Sequence, residues 1–348
     1  MSRKRRAFEW PAADRAMWSS LFRHGGPLDG KGPLAHVRAT SRECFQRVYA
    51  SWLAWIAHDD PDALALDPVS RAGGERMQRW FGSMAGYAPK TRLTQTGHLL
   101  RILSAFAPAA NWSVQRRVVA LARRAVEDTP SGRKTDRILS SDVLFESGLS
   151  LIARNGTYHP PQTLAEAKRQ RDGMMIAFLA LLPLRRRAFC GLDLGGAALR
   201  RGASILVHLA PERTKSGQAW ESPLPAALIA PMQHYLAHVR PWLMARSGSR
   251  HTALWVNDKG RPYYEPHLSA RIPRITGTLF GTNISIHLFR DAAATTLAHH
   301  SPDAARLTRA ILGHSGFRTA ERHYNQARTI EAGRRYSEVI ARLKETPA

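Results

Sequence analysis

The chain has 348 residues, with 51 Lys and Arg against 27 Asp and Glu, which gives a net charge of +24 and a pI near 11.2. That balance excludes the profile of an ordinary metabolic enzyme and asks for a polyanionic partner, with nucleic acid ahead of a ribosome-like or membrane-surface role. Two cysteines, Cys44 and Cys190, exclude a disulfide framework and a cysteine zinc site, and they fit a reducing compartment; both read as small core residues.

The length suffices for a sizeable core and predicts two domains. Residues 1–32 read as a basic extension, 33–130 as a helical domain, 131–137 as a linker and 138–348 as a second domain. No apolar signal-peptide region follows the basic start at residues 1–6, and no apolar run reaches the ~18 residues of a membrane span. Trp10, Ala13, Met17, Trp18, Leu21 and Phe22 recur at helical spacing. A second helix begins near Ser41 and carries Cys44, Val48, Trp52, Leu53 and Ile56. A third, from Val69 to Met84, is punctuated by Gly73-Gly74; a fourth starts near Thr91, and a fifth covers residues 113–126. In the fifth, Val114, Val118, Leu121 and Val126 alternate with Arg117, Arg123 and Arg124, which suit either a solvated or a DNA-facing side. Residues 129–136 are turn-rich, charged and poor in apolar groups, as a linker is.

The second domain mixes element types. Ser140-Ser141-Asp142 offers N-caps for a helix with Val143, Leu144, Leu149 and Ile152. Residues 170–182 predict a helix that turns strongly apolar after Gly173. Residues 204–209 read as a strand, and Lys215-Ser216-Gly217-Gln218 as a hairpin turn before a second strand near Trp220. Residues 225–245 return to helix, with Pro231 and Pro241 as starts or breaks. Ser301-Pro302 predicts a helix start, and the helix carries Leu307, Ala310 and Ile311 with Gly313 as C-cap. A last helix over residues 330–344 shows Tyr336, Val339, Ile340 and Leu343 on one side.

One constellation stands out. His287 and Arg290 lie three residues apart, His314 follows 24 residues after the arginine, and Tyr324 ten after that. A guanidinium fork suits phosphate oxygens, an imidazole trades protons near neutral pH, and a phenol can form a covalent phosphoester. No metal ligand is needed for such a set.

The chain resembles the tyrosine recombinases of the phage-integrase family. Leu184-Arg185-Arg186-Arg187, Thr214-Lys215-Ser216-Gly217, His287-Leu288-Phe289-Arg290, the run Leu312-Gly313-His314-Ser315-Gly316, and Tyr324 carry the resemblance, in segment order over most of residues 138–345. It implies a mainly α fold with a small antiparallel sheet (α+β): a helical core-binding domain followed by a mixed α/β catalytic domain, the two clamping duplex DNA. It also assigns roles. Arg185 matches the first catalytic arginine; neighbours on a helix point about 100° apart, so one of the three consecutive arginines faces the phosphate. Lys215 matches the general acid that protonates the departing 5′ oxygen, and lysine is scarce in this chain, at eight positions. His287 assists proton transfer from the tyrosine, Arg290 clamps a non-bridging oxygen, His314 donates to another, and Tyr324 is the nucleophile, with Tyr336 assigned to packing. The reaction so implied is cleavage through a 3′-phosphotyrosyl intermediate and strand exchange without ATP, metal or cofactor.

Two positions depart from the family pattern. Ala188 stands three after the first arginine, where an acid is common, and Asp291 follows Arg290, where a basic or small residue is usual. A type IB topoisomerase and a catalytically silent DNA-binding descendant are the competing readings. The resemblance further implies a homotetramer on double-stranded DNA, joined through the C-terminal helix, with room for a second recombinase or an accessory protein. It places the protein in the cytoplasm, nucleoid-associated when on DNA.

Overall fold

The structure is a computed structural model that describes residues 10–312 except 27–28, 130–136, 197, 202–203, 215–216 and 218. Lys215, His314, Tyr324, the expected C-cap Gly313 and the expected last helix lie outside the described residues. Two compact units are formed, one within residues 1–131 and one within 132–348.

The first unit holds helices α1 (Ala12–Leu21), α2 (Ala39–Asp59), α3 (Pro68–Arg71), α4 (Gly74–Ser83), α5 (Pro89–Phe106) and α6 (Ser113–Glu127). The stretch from Val69 to Met84 is two helices rather than one, because the chain breaks at Ala72-Gly73. Trp52, Trp80 and Trp112 fill its centre with Met17, Leu53, Ile56 and Leu103. One buried ion pair ties α1 to α3. Arg71 Nη1 lies 2.5 Å from Asp14 Oδ1, and the same carboxylate oxygen accepts from Tyr49 Oη at 2.6 Å. Arg71 also reaches the carbonyls of Ala63, Leu64 and Leu66, so its guanidinium is satisfied where a bare charge would be costly. Burial, and then the Asp14 charge, push Tyr49 upward, which keeps it a neutral donor.

The second unit is built around α8 (Leu164–Leu181), whose residues from Gly173 to Ala180 are all buried. It starts with a capping box: Glu166 N donates to Thr163 Oγ1 at 3.2 Å, and Thr163 N donates to Glu166 Oε2 at 3.3 Å. α7 (Ser141–Ile152) lies unusually close to it, since a Cβ on Gly148 would stand 2.6 Å from the Ala177 nitrogen. Ser140 precedes α7 as expected but makes no side-chain cap; instead Thr296 Oγ1 accepts from Ser141 N at 2.9 Å.

After α9 (Arg186–Cys190) comes a three-stranded antiparallel sheet in the order β1 (Ala198–Arg201), β2 (Ser204–Leu209), β3 (Trp220–Pro223). Val207 faces both Ala198 and Ser222. β2 and β3 match the predicted strands, and β1 adds a third. Gly217, in the intervening turn, has φ +73°, a left-handed conformation that glycine adopts without strain.

The expected helix over residues 225–245 is three pieces: α10 (Ala226–His234), a π turn (Tyr235–Val239) and α11 (Arg240–Met244). Arg240 N reaches back to the Tyr235 carbonyl, a five-residue step. Pro241 has no N–H and its ring crowds the carbonyl four residues back, and the wider turn accommodates both defects. α12 (Glu265–Phe280) and α13 (Ile286–His300) follow. Ser301 caps α14 (Pro302–Arg306) by accepting from Ala304 N at 3.1 Å. The helix expected to continue from it breaks at Leu307 into α15 (Thr308–Leu312).

Buried charge again fixes the packing. Asp172 on α8 takes Arg171 Nη2 at 2.6 Å on one oxygen and Arg271 Nε of α12 at 3.0 Å on the other. Arg171 is 1% exposed and its guanidinium lies 5.0 Å from the Tyr263 ring centroid. The cysteines differ from their expected core placement, both being half-buried. Cys44 lines an open cleft with its thiol 3.7 Å from His98 Nδ1, while Cys190 donates to the Tyr263 carbonyl at 3.2 Å.

Candidate active site

The three consecutive arginines part company at the start of α9. α8 ends at Leu181, Pro183 and Leu184 carry the chain across, and Arg185 holds the N-cap position with extended backbone (φ −65°, ψ 146°). Its side chain is half-buried, whereas Arg186 and Arg187 are exposed in the first turn of the helix. Arg186 is engaged elsewhere, with Nε 2.8 Å from Glu265 Oε1. The change from extended backbone at Arg185 to helix at Arg186 thus singles out one of the three for the interior, rather than the helical offset expected from the sequence.

Arg290 sits one turn into α13 and is 5% exposed. Its Nη1 donates to the Pro183 carbonyl at 2.7 Å, two residues before Arg185, and its Nη2 donates to the Leu312 carbonyl at 2.7 Å, two residues before His314. One guanidinium therefore joins three separate motif segments. The Leu312 carbonyl belongs to α15, so the cation ties α13 to that element as well.

Arg185 and Arg290 lie near enough for their like charges to oppose one another. Burial, and then the Arg185 charge, push Arg290 down to about 10, with Asp291 opposing. Burial also lowers Arg185. Both guanidinia remain charged near neutral pH, and two like charges in a poorly solvated place gain from an anion that settles between them.

His287 stands one turn before Arg290 on the same side of α13, but it is exposed where Arg290 is buried. The pair is presented at two depths: a solvent-accessible imidazole over an inner guanidinium. Ala188, the first departure, is buried beside Phe189. Asp291, the second, is half-buried and favours the charged form of Arg290. Sequence reasoning named Arg185, His287 and Arg290, and the structure places Arg185 and Arg290 together with His287 on the Arg290 helix. It missed the two carbonyls that Arg290 grips. Among the described residues no group of three or more His, Cys, Asp or Glu is arranged to hold a metal ion, and no helix is long and apolar enough to cross a membrane.

Residues 159–330 match the sequence model of the Phage integrase family. Among solved structures, the Tn1549 transposon integrase in complex with transposon right end DNA is 16% identical, with 86% of this chain and 96% of that chain covered and a TM-score of 0.54. The same integrase in complex with circular intermediate DNA is 18% identical, covering 92% and 99%, with a TM-score of 0.52. The XerH site-specific recombinase bound to difH substrate is 14% identical, covering 72% and 80%, with a TM-score of 0.41. The two integrase likenesses give the fold. No curated protein is significantly similar to the sequence.

Proposed function

The chain belongs, through residues 159–330, to the phage integrase family, and from that premise we propose that it is a site-specific recombinase that breaks and rejoins double-stranded DNA through a 3′-phosphotyrosyl intermediate. The observation that carries this reading is the position of Arg290: buried, within electrostatic reach of Arg185, and bonded to the backbone two residues ahead of both Arg185 and His314. An anion-receptive pair of guanidinia on fixed backbone suits a phosphodiester that gains charge as it is attacked.

In this reading Tyr324 attacks the scissile phosphorus, the bond to O5′ breaks, and Lys215 hands a proton to that oxygen. His287 takes the phenolic proton, and Arg185, Arg290 and His314 hold the non-bridging oxygens. A partner strand's 5′ hydroxyl then displaces the tyrosine. Each step trades one phosphoester for another, so the exchange needs no ATP. The Tn1549 structures contain DNA, which supports duplex DNA as the partner here. The charge of +24 supports it independently and predicts steep salt dependence. Within the same reading, the first unit forms a core-binding domain in which α1 packs into one core with residues 33–130, so that the stretch before residue 33 is not a mere extension; residues 138–348 form the catalytic domain, and four copies assemble on DNA through the C-terminal segment, in the cytoplasm on the nucleoid.

The test uses a duplex site selected by the protein from a random-sequence pool and nicked near the exchange point. Wild type should leave a denaturant-resistant adduct that Tyr324→Phe does not, and strand-exchanged products should follow. An adduct from both proteins would remove Tyr324 from its role, and none from either on a bound site would overturn the enzymatic reading. Relaxed circles without exchange would point to a topoisomerase.

A further inference from the structure

We propose that Cys44 is a thiolation site: a cationic cleft in the first unit presents its thiol, paired with an imidazole, to small disulfides that carry carboxylates. The proposal does not draw on the recombinase reading. The cleft has a volume of about 340 Å³ and lies between the start of α2 and the middle of α5, lined chiefly by His36, Arg38, Cys44, Phe45, His98 and Arg101.

Nucleophile, base and charge come from two helices. Cys44 is half-buried in the second turn of α2, with Sγ 3.7 Å from His98 Nδ1 on α5. The buried Phe45 ring orders both partners of the thiol. Its centroid lies 4.9 Å from that of the His98 ring, edge to face, and 5.3 Å from the Arg101 guanidinium carbon. Burial, and then the Arg101 charge, push His98 below the usual imidazole range, so it serves as a neutral proton acceptor near pH 7. Arg38, Arg101 and His36 are exposed, and no acid is among the described residues that line the cleft. α2 also starts without a side-chain cap or an acid in its first turn, which leaves its positive end uncompensated there. His36, Cys44 and His98 do not converge on a point that could hold a metal ion. Cys190 has none of this: its partner is the Tyr263 carbonyl, which cannot take a proton, and the Glu265 charge opposes an incoming anion.

In the step, His98 Nδ1 takes the Cys44 proton and the thiolate attacks one sulfur of the disulfide. The new Sγ–S bond forms as the old S–S bond breaks, and the other half leaves as a thiolate that recovers the proton from His98. Cys44 is oxidised, the departing half is reduced, and the disulfide itself is the oxidant. A carboxylate on the incoming half gains from Arg38 and Arg101 as it docks. The product is a mixed disulfide that a free thiol reverses.

The experiment treats the full chain at pH 7 with two chromogenic disulfides: dithiobis-nitrobenzoate, which carries a carboxylate on each ring, and dithiodipyridine, which is uncharged. Released thiol gives the rate, and peptide mass spectrometry gives the site. The anionic probe should modify Cys44 at least about tenfold faster than Cys190. Arg101→Gln and Arg38→Gln should each slow the anionic probe about 3-fold, the Coulomb attraction of one water-facing charge pair, and leave the neutral probe unchanged. Arg79→Gln, which removes the same charge beside Asp59 at the other end of α2, should alter neither rate. His98→Asn should slow both probes alike, since it removes a proton acceptor and no charge. Cys190 reacting first, or arginine variants that slow both probes equally or neither, would overturn the proposal. So would a His98→Asn protein that reacts as fast as wild type.

Discussion

Asp172→Asn isolates the buried charge on which the second unit is assembled. The carboxylate is 4% exposed and lies between Arg171, 1% exposed, and Arg271, 28% exposed. Its two oxygens accept Arg171 Nε at 3.0 Å and Nη2 at 2.6 Å on one side and Arg271 on the other. Asparagine keeps one acceptor oxygen, loses the charge, and turns a donor toward one of the two guanidinia. Arg171 then remains in the interior with its positive charge uncompensated. Removing one partner of a buried pair costs about 3–5 kcal/mol. A unit of this size shifts its midpoint by about 2–4 °C per kcal/mol, so the expected fall is roughly 6–20 °C. Urea and thermal unfolding of the full chain measure it, with Arg79→Gln as the control: Arg79 pairs with Asp59 at 3.1 Å but is 51% exposed, and its loss should cost less than about 1 kcal/mol. If Asp172→Asn moves the midpoint no further than Arg79→Gln does, the buried pair does not hold α8 to α12.

Three further outcomes are expected. Arg185→Ala should lower adduct formation by at least about 100-fold, whereas Arg186→Ala, exposed and paired with Glu265, should leave it within a few-fold; the reverse order would shift the register of the catalytic arginine. Arg290→Lys keeps a charge but cannot span the Pro183 and Leu312 carbonyls, so it should lose both cleavage and about 1.5–3 kcal/mol of stability for each charged hydrogen bond not remade; full cleavage by this variant would refute the bridging role. Burial, reinforced by the Glu265 charge, pushes Cys190 up to about 11. At pH 8 it is a thiol, so iodoacetamide should label Cys44 first, and Cys190 labelling should climb about tenfold per pH unit toward 11. Mass spectrometry of the two cysteine peptides reads this directly, and equal rates at pH 8 would refute it.

Side-chain chemistry that acts on its own neighbours was legible in the sequence. Ser301-Pro302 announces α14 because hydroxyl and ring both serve a helix start. Thr163 and Glu166 form a capping box that would have set the start of α8 at Leu164 rather than residue 170. Asn155-Gly156 was equally readable: both residues have positive φ (51° and 76°), and they close a two-residue hairpin between Arg154 and Thr157. β1 was not legible. Its four residues, with Arg200 and Arg201 among them, lack strand patterning, and pairing with β2 makes them a strand. Arg290's partners could not be read either, since they are main-chain carbonyls 107 and 22 residues away and every residue type offers one.

The grip of Arg290 on two carbonyls bears on how an inactive form of this protein should be chosen. A substitution there would alter the charge proposed to hold the phosphate and, in the same stroke, release the Pro183 and Leu312 carbonyls. Such a variant would confound lost chemistry with lost architecture, and a DNA complex trapped with it would show a relaxed site. By reciprocity, any phosphate that draws the Arg290 guanidinium away from the Leu312 carbonyl would loosen α15, and loosening α15 would favour that phosphate by the same coupling free energy. Tyr324→Phe deletes a single oxygen and keeps the Arg290 side chain that makes both contacts.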